Sequence, residues 1–183
     1  MDYQTVLRAD CARCQALCCV SLPFDRGDSF AFDKPANQPC PELQLRLTCG
    51  IHEQLRVRGQ AGCADYDCYG AGQRITQELF PGVSWQRQPE ARPLLFEAFR
   101  RLKRVHELRL LLHAAGRLQL SPPKADERER LLARLEPERF SVESLLTLDL
   151  CELEAASRSW LRGLSRELSP EQARRRLPLL PPS

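Results

Sequence analysis

Histidine, methionine and aromatic side chains are scarce in this chain, with 3 His, 1 Met and 7% aromatics among 183 residues. No stretch approaches the roughly 18 apolar residues of a bilayer-spanning helix, so no membrane partner is expected. A formal charge of +3 is too small to mark a polyanion partner. No repeat with a period of about 20–50 residues is visible, which excludes solenoid and propeller architectures. Gly70-Ala71-Gly72 lacks a third glycine, a preceding strand and a downstream acidic residue, so it reads as a turn and not as a nucleotide cradle. No nucleophile–base pair stands out, and no catalytic residue is assigned. Met1–Asp10 contains no apolar run of the kind a secretory signal needs, and Asp2 and Asp10 flank what little hydrophobicity it has. The expected location is therefore cytoplasmic.

What is abundant is cysteine, and it is concentrated. Eight of the nine cysteines lie between positions 11 and 68: Cys11, Cys14, Cys18, Cys19, Cys40, Cys49, Cys63 and Cys68. Such a density has two physical explanations, a disulfide framework in an oxidising compartment or thiolate ligands for a soft metal in a reducing one. A cytoplasmic chain favours the second, because unoccupied clustered thiols there are an oxidation liability. If residues 10–19 are helical, Cys14 falls about 60° and Cys18 about 20° from Cys11, so three thiols converge locally while Cys19 turns away. The tight segment from Cys63 to Cys68 offers a second pair. On that reading Cys14 and Cys68 serve different ions. Eight thiolates permit two four-sulfur sites, one such site plus a redox or structural set, or a cubane cluster with spare thiols.

The order CxxCxxxCC, then a Pro-flanked Cys40, Cys49-Gly-Ile-His52 and Gly62-Cys63 to Tyr66-Asp67-Cys68, resembles the YkgJ-type cysteine-cluster family, described as zinc- or iron-chelating. Leu17-Cys-Cys-Val20, Pro23-Phe24, Phe32-Asp-Lys-Pro35 and Gly70-Ala-Gly-Gln73 are similar to a cysteine-rich module found ahead of bacterial pentapeptide-repeat arrays. The chain has no run of that five-residue pattern, so the repeat β-helix is not expected here. The resemblance covers residues 11–85 and implies a metal site of all eight cysteines. The pattern is also similar to one in bacterial flagellin lysine methylases, which keeps an iron–sulfur role in view.

Around the cysteines, Ser21–Gln38 reads as a loop whose Phe24, Phe30 and Phe32 cover the site. Leu43, Leu47, Ile51 and Leu55 repeat every fourth residue, which predicts a helix over 43–57 ending at Gly59. His52, the one histidine inside the cluster, reads as a donor to a backbone carbonyl or a thiolate sulfur rather than a ligand. Asp65 and Asp67 read as local turn-formers, not as an acid–base pair. Residues 1–85 carry 8 Lys/Arg against 10 Asp/Glu, and 86–183 carry 19 against 14. A slightly acidic cysteine region argues against nucleic-acid binding.

From Pro89 the pattern turns helical. Arg92–Leu118 places Leu95, Phe99, Leu102, His106, Leu110 and His113 on one face, with both histidines read as core or boundary residues. A helix from Ser121-Pro122 to Leu135 has Glu127 and Glu129 answering Arg130 and Arg134. A further helix runs from Ser141 to about Arg166 with Cys151 buried in it as a small hydrophobe, and a short one starts at Ser169. The expected fold is mostly α: a loop-rich, metal-bound cysteine module over 1–85 packed on a helical bundle over 86–183. The expected function is zinc or iron binding, by one or two ions or an iron–sulfur cluster, in a structural, sensing or delivery role. Metal is the expected partner, with a protein partner for delivery. The alternative from another class is an iron–sulfur redox or modification enzyme, or an electron-transfer protein.

Overall fold

The structure, a computed structural model, describes residues 3–136 and 140–164. It is mostly helical. Eight α-helices are described: α1 (Tyr3–Val6), α2 (Leu17–Ser21), α3 (Ala61–Asp65), α4 (Ala71–Arg74), α5 (Arg92–Ala115), α6 (Pro122–Leu135), α7 (Val142–Thr147) and α8 (Leu150–Leu164). Among the described residues, extended structure is limited to isolated antiparallel bridges, Phe24 with Lys34, Gly27 with Phe30 and Leu43 with Cys49. The helix expected from Ser169 lies outside the described residues.

Packing divides the chain into two compact units. Residues 9–103 form one; the described residues of 1–8 and 104–183 form the other. The division at 85/86 drawn from composition followed cysteine density. Packing instead groups the first half of α5 with the cysteines.

In the unit of residues 9–103, the apolar core joins Leu17 and Val20 of α2, Ala71 of α4 and Ile75 to Leu95, Phe96, Phe99 and Leu102 of α5, all at most 1% exposed. Ser21 hydroxyl donates to the Phe96 carbonyl (3.3 Å), and the Arg100 guanidinium donates to both Ser21 (3.0 Å) and Asn37 (2.9 Å). These bonds pin α2, which carries Cys18 and Cys19, against α5. Trp85 donates its indole N–H to the Gln15 carbonyl (2.9 Å), fixing the segment just ahead of α2.

The second unit is held by the face Leu153, Ser157, Trp160 and Leu164 of α8, a helical i, i+4, i+7, i+11 series, beside the buried Leu131 and Leu135 of α6. Trp160 also donates to the Lys124 carbonyl (3.3 Å). Arg104 forks onto Glu154 and bonds Glu107 (2.6 Å). The Arg104 and Arg158 guanidinium groups hold the Glu154 carboxyl down to about 2.

Three expected helices are corrected. Residues 10–19 are not one helix: Asp10 caps a short 3-10 turn over Cys11–Arg13, Cys14 is extended, Ala16 adopts φ 54°, and α2 then begins. Groups of this segment instead bond residues of the α4 region. The Asp10 N–H donates to Gln73 (3.0 Å), the Gln15 N–H to Thr76 (3.3 Å), and the Gln77 amide to the Arg13 carbonyl (2.9 Å). Residues 43–57 hold only a 3-10 turn at His52–Gln54. Leu43, Leu47, Ile51 and Leu55 are half-buried and none joins the core, so the apolar spacing marks a partly covered loop and not a helical face. Finally, Ser141–Arg166 splits into α7 and α8. Leu148 is extended (ψ 127°) and Asp149 restarts the chain by accepting from the Glu152 N–H (2.9 Å). The expected ion pairs of α6 also differ: Glu127 pairs with Lys124 (3.0 Å), Glu129 with Arg128 (3.0 Å), and Arg134 reaches Glu152 of α8.

Candidate functional site

All nine cysteines are free thiols, and the eight of the cluster lie together in the unit of residues 9–103. Two groups of sulfurs can be followed from the elements that carry them. Cys14 and Cys68 meet over α4. A Cβ built on Gly72 would stand 2.5 Å from the Cys14 sulfur and 3.7 Å from that of Cys68, so only a glycine leaves room for both. Cys14 receives the backbone N–H of Leu17, and Cys68 those of Gly72 and Gly70. Burial pushes the Cys14 thiol up to about 12, the Leu17 N–H pulls it back, and Cys18, Cys68 and Cys11 add to the rise. Burial likewise raises Cys11, whose next contributors are Cys18 and Cys68. Cys11, Cys14, Cys18 and Cys68 are thus mutual electrostatic neighbours.

The second group is built on the loop. The Cys40 N–H donates to the Cys19 carbonyl (2.9 Å), and the Leu43–Cys49 bridge folds Cys49 back towards Cys40. Burial raises Cys63 to about 11, with Cys40, Cys18 and Cys49 adding to it. Cys40 is raised by burial, opposed by the Glu42 N–H that points at its sulfur. The groups touch where α2 presents adjacent residues, the Cys18 and Cys19 sulfurs standing 3.8 Å apart. That contact is the first cause of the rise of Cys18.

Side chains around the sulfurs close the region. Phe24 stacks on Phe30 (4.4 Å between centroids) with Phe32 tilted beside it (5.5 Å), and Phe30 lies against Gly62, next to Cys63. The Tyr66 hydroxyl is buried without a hydrogen-bond partner, and its phenol is raised by burial and then by Cys18, Cys68 and Cys14. Asp67 accepts from the Tyr69 N–H (2.6 Å) in the expected local turn, while Asp65 pairs with exposed Arg56. His52 is exposed. His106 is buried in α5 and His113 stacks on Tyr3 (4.2 Å), both within the other unit.

The eight thiols are the side chains here that could hold a soft ion. Among the described residues, no three His, Cys, Asp or Glu side chains are already drawn into a ligating group. Two features escaped the sequence reading. Gly72 was visible only as part of a turn, and its tight approach to Cys14 depends on a contact 58 residues away in sequence. Cys68 was paired by proximity with Cys63, whereas folding of the Cys11–Cys14 segment onto α4 brings it to Cys14.

The chain is similar to a bacterial protein. Over 169 residues it is 39% identical to "Uncharacterized protein YybG" of Bacillus subtilis (strain 168), a match spanning 92% of this chain and therefore both units. The chain spans about 60% of that relative's length. No family model matches it, and no solved structure matches it.

Two substitutions probe this geometry. Gly72→Ala should favour the helix by up to about 1 kcal/mol on propensity alone. Its Cβ would nevertheless overlap the Cys14 sulfur, so the net change should be a destabilisation of about 1–3 kcal/mol. A thermal melt reads the sign, and a stabilised variant would mean that the sulfurs yield freely. Cys151 is exposed on α8 and not buried as expected. Cys151→Ser should therefore change stability by no more than about 0.5 kcal/mol, and Cys151 should be the cysteine that iodoacetamide labels first in the folded protein.

Proposed function

We propose that residues 11–68 form a metal-bound cysteine module of the YkgJ type, holding zinc or iron on Cys11, Cys14, Cys18 and Cys68 and on Cys19, Cys40, Cys49 and Cys63. The observation that carries this reading is that eight free thiols lie within one compact unit, with Cys14 and Cys68 both over Gly72 and Cys18 beside Cys19. Three further features support it. Backbone N–H groups of Leu17, Glu42, Gly70 and Gly72 point at sulfurs, an arrangement that favours thiolate over thiol. The buried Tyr66 hydroxyl has no partner among neutral thiols and would find a better acceptor in a metal-bound thiolate. Ala16, Leu47 and Tyr69 hold left-handed φ values of 54°, 61° and 50°, each within two residues of a cysteine. Strain of about 1–3 kcal/mol apiece persists where surrounding bonds enforce it.

A four-thiolate zinc site supplies a cross-link that contributes directly to folding. The chain's own residues bring the sulfurs together, screen them with Phe24, Phe30 and Phe32, and aim N–H groups at them. The role is structural, sensing or delivery in a reducing, cytoplasmic setting. Among the described residues no helix is long and apolar enough to cross a membrane.

The 3.8 Å approach of Cys18 to Cys19 favours one alternative, a single cluster shared by both groups, as in an iron–sulfur electron carrier or enzyme. Elemental analysis of anaerobically prepared protein decides. Two zinc ions per chain and no visible absorption support the two-site module; iron with acid-labile sulfide and a brown colour supports the cluster. A chain with neither metal nor metal uptake ends both readings.

A further inference from the structure

Lys34 is the anomalous charge of the cysteine unit. It is 2% exposed, whereas the other charged residues between Leu22 and Gln60 are not buried. Its ammonium donates to the carbonyls of Val20 (3.2 Å), Leu22 and Pro35 (3.2 Å), so all three protons are committed to backbone. The Nζ also stands 5.8 Å from the Phe24 ring centroid. Among the described residues it makes no ion pair with a carboxylate. Burying an ammonium costs several kcal/mol, and neutral carbonyls satisfy its protons without cancelling its charge.

The anionic groups able to do so are thiols. Val20 and Leu22 follow Cys19 directly along α2 and just beyond it, and Phe24 links Lys34 through Phe30 to Gly62 beside Cys63. Burial lowers the ammonium, and the groups that would restore it as anions are Cys40, Cys19, Cys18 and Cys63, in that order. We propose that Lys34 is the built-in counter-cation of the cluster, its fixed ammonium offsetting the negative charge that Cys18, Cys19, Cys40 and Cys63 take on when they bind a metal cation. The inference rests on the metal-binding function proposed above. Because its protons are spent on carbonyls, Lys34 acts through its field and not by hydrogen-bonding sulfur. It is a positioning and charge-balancing residue, not a ligand.

The test is cobalt(II) binding to the full chain, stripped of metal under anaerobic conditions and titrated against a competing chelator, with sulfur-to-cobalt charge-transfer absorption as the readout. Lys34→Met keeps length and loses charge; Lys34→Arg keeps charge and changes shape. Lys34→Met should weaken the equivalent held by Cys19, Cys40, Cys49 and Cys63 by about ten- to a hundredfold and the other, which Cys18 shares, by less, while Lys34→Arg stays close to wild type. Equal affinity of Lys34→Met and wild type overturns the proposal, as does equal weakening by Met and Arg. Lys34→Gln, which can still donate to a carbonyl, covers the case in which Met loses the fold. If the neutral pair fails to fold and Arg folds, charge decides and the proposal stands; if all three fail, shape decides and it falls. Wild-type protein that takes up no cobalt refutes the metal-binding reading itself, a result distinct from binding that ignores Lys34.

Discussion

Stripping metal from the protein with a chelator should unfold the loop of residues 22–60 while leaving the unit built on α6 and α8 helical. Between Leu22 and Gln60 the buried residues are Lys34 and Gln60, both polar, so this stretch has no apolar core of its own. Its backbone is held by isolated bridges and turns such as Gly50 N–H to Glu42 carbonyl (2.8 Å). Structural zinc sites contribute about 10–16 kcal/mol of binding free energy that is also folding free energy. Whole domains are stable by only about 5–15 kcal/mol. Loss of metal therefore outweighs anything this stretch can offer in its place. Limited proteolysis is the sensitive measurement, with new cleavage sites within 22–60. Circular dichroism should fall only modestly, because α2 and α3 are five residues each. Unchanged protease resistance after chelation would rule out a structural role for the metal.

The helical half was legible where apolar periodicity is long and uninterrupted. Arg92–Ala115 stops before Gly116, three residues short of the expected Leu118, and its buried Leu95, Phe99, Leu102, His106 and Leu110 lie on the expected face. The break between α7 and α8 was legible in principle. Asp149 followed by Glu152 is a helix-start pattern, masked because Leu146, Leu150 and Leu153 continue the apolar spacing across it. The cysteine half was legible in content but not in shape. A helix prediction for 43–57 rests on propensity and spacing, and both are overridden where Leu43 pairs back onto Cys49 and Leu47 adopts φ 61°. Lys34 carried no signal, since a lysine in a polar loop is ordinarily solvated; only folding of the loop over the end of α2 buries it. The same limit applies to sulfur partners. Local spacing speaks for neighbours three or four residues apart, whereas Cys14 and Cys68 are joined by the docking of one segment on α4.

That docking alters which thiols should fail together. Sequence spacing assigns Cys14 and Cys68 to different ions; on the metal-binding function proposed above, their common position over Gly72 puts them at the same one. Cys14→Ser and Cys68→Ser should each remove about one metal equivalent, and the double variant should remove no more than either alone, because residues acting as one site are not additive. Cys63→Ser should remove a different equivalent, and combining it with Cys14→Ser should remove both. Each single change should also lower the melting temperature, since an incomplete site forfeits folding energy and not merely a contact. Cys151→Ser, at an exposed position of α8, is the control and should retain full metal content. Metal content of the six variants, measured on anaerobically purified protein, separates the arrangements. Additive loss from Cys14→Ser and Cys68→Ser would restore the sequence-based pairing. Loss of all metal from any one cluster variant would mean that the 3.8 Å contact of Cys18 with Cys19 joins the groups into one cooperative cluster.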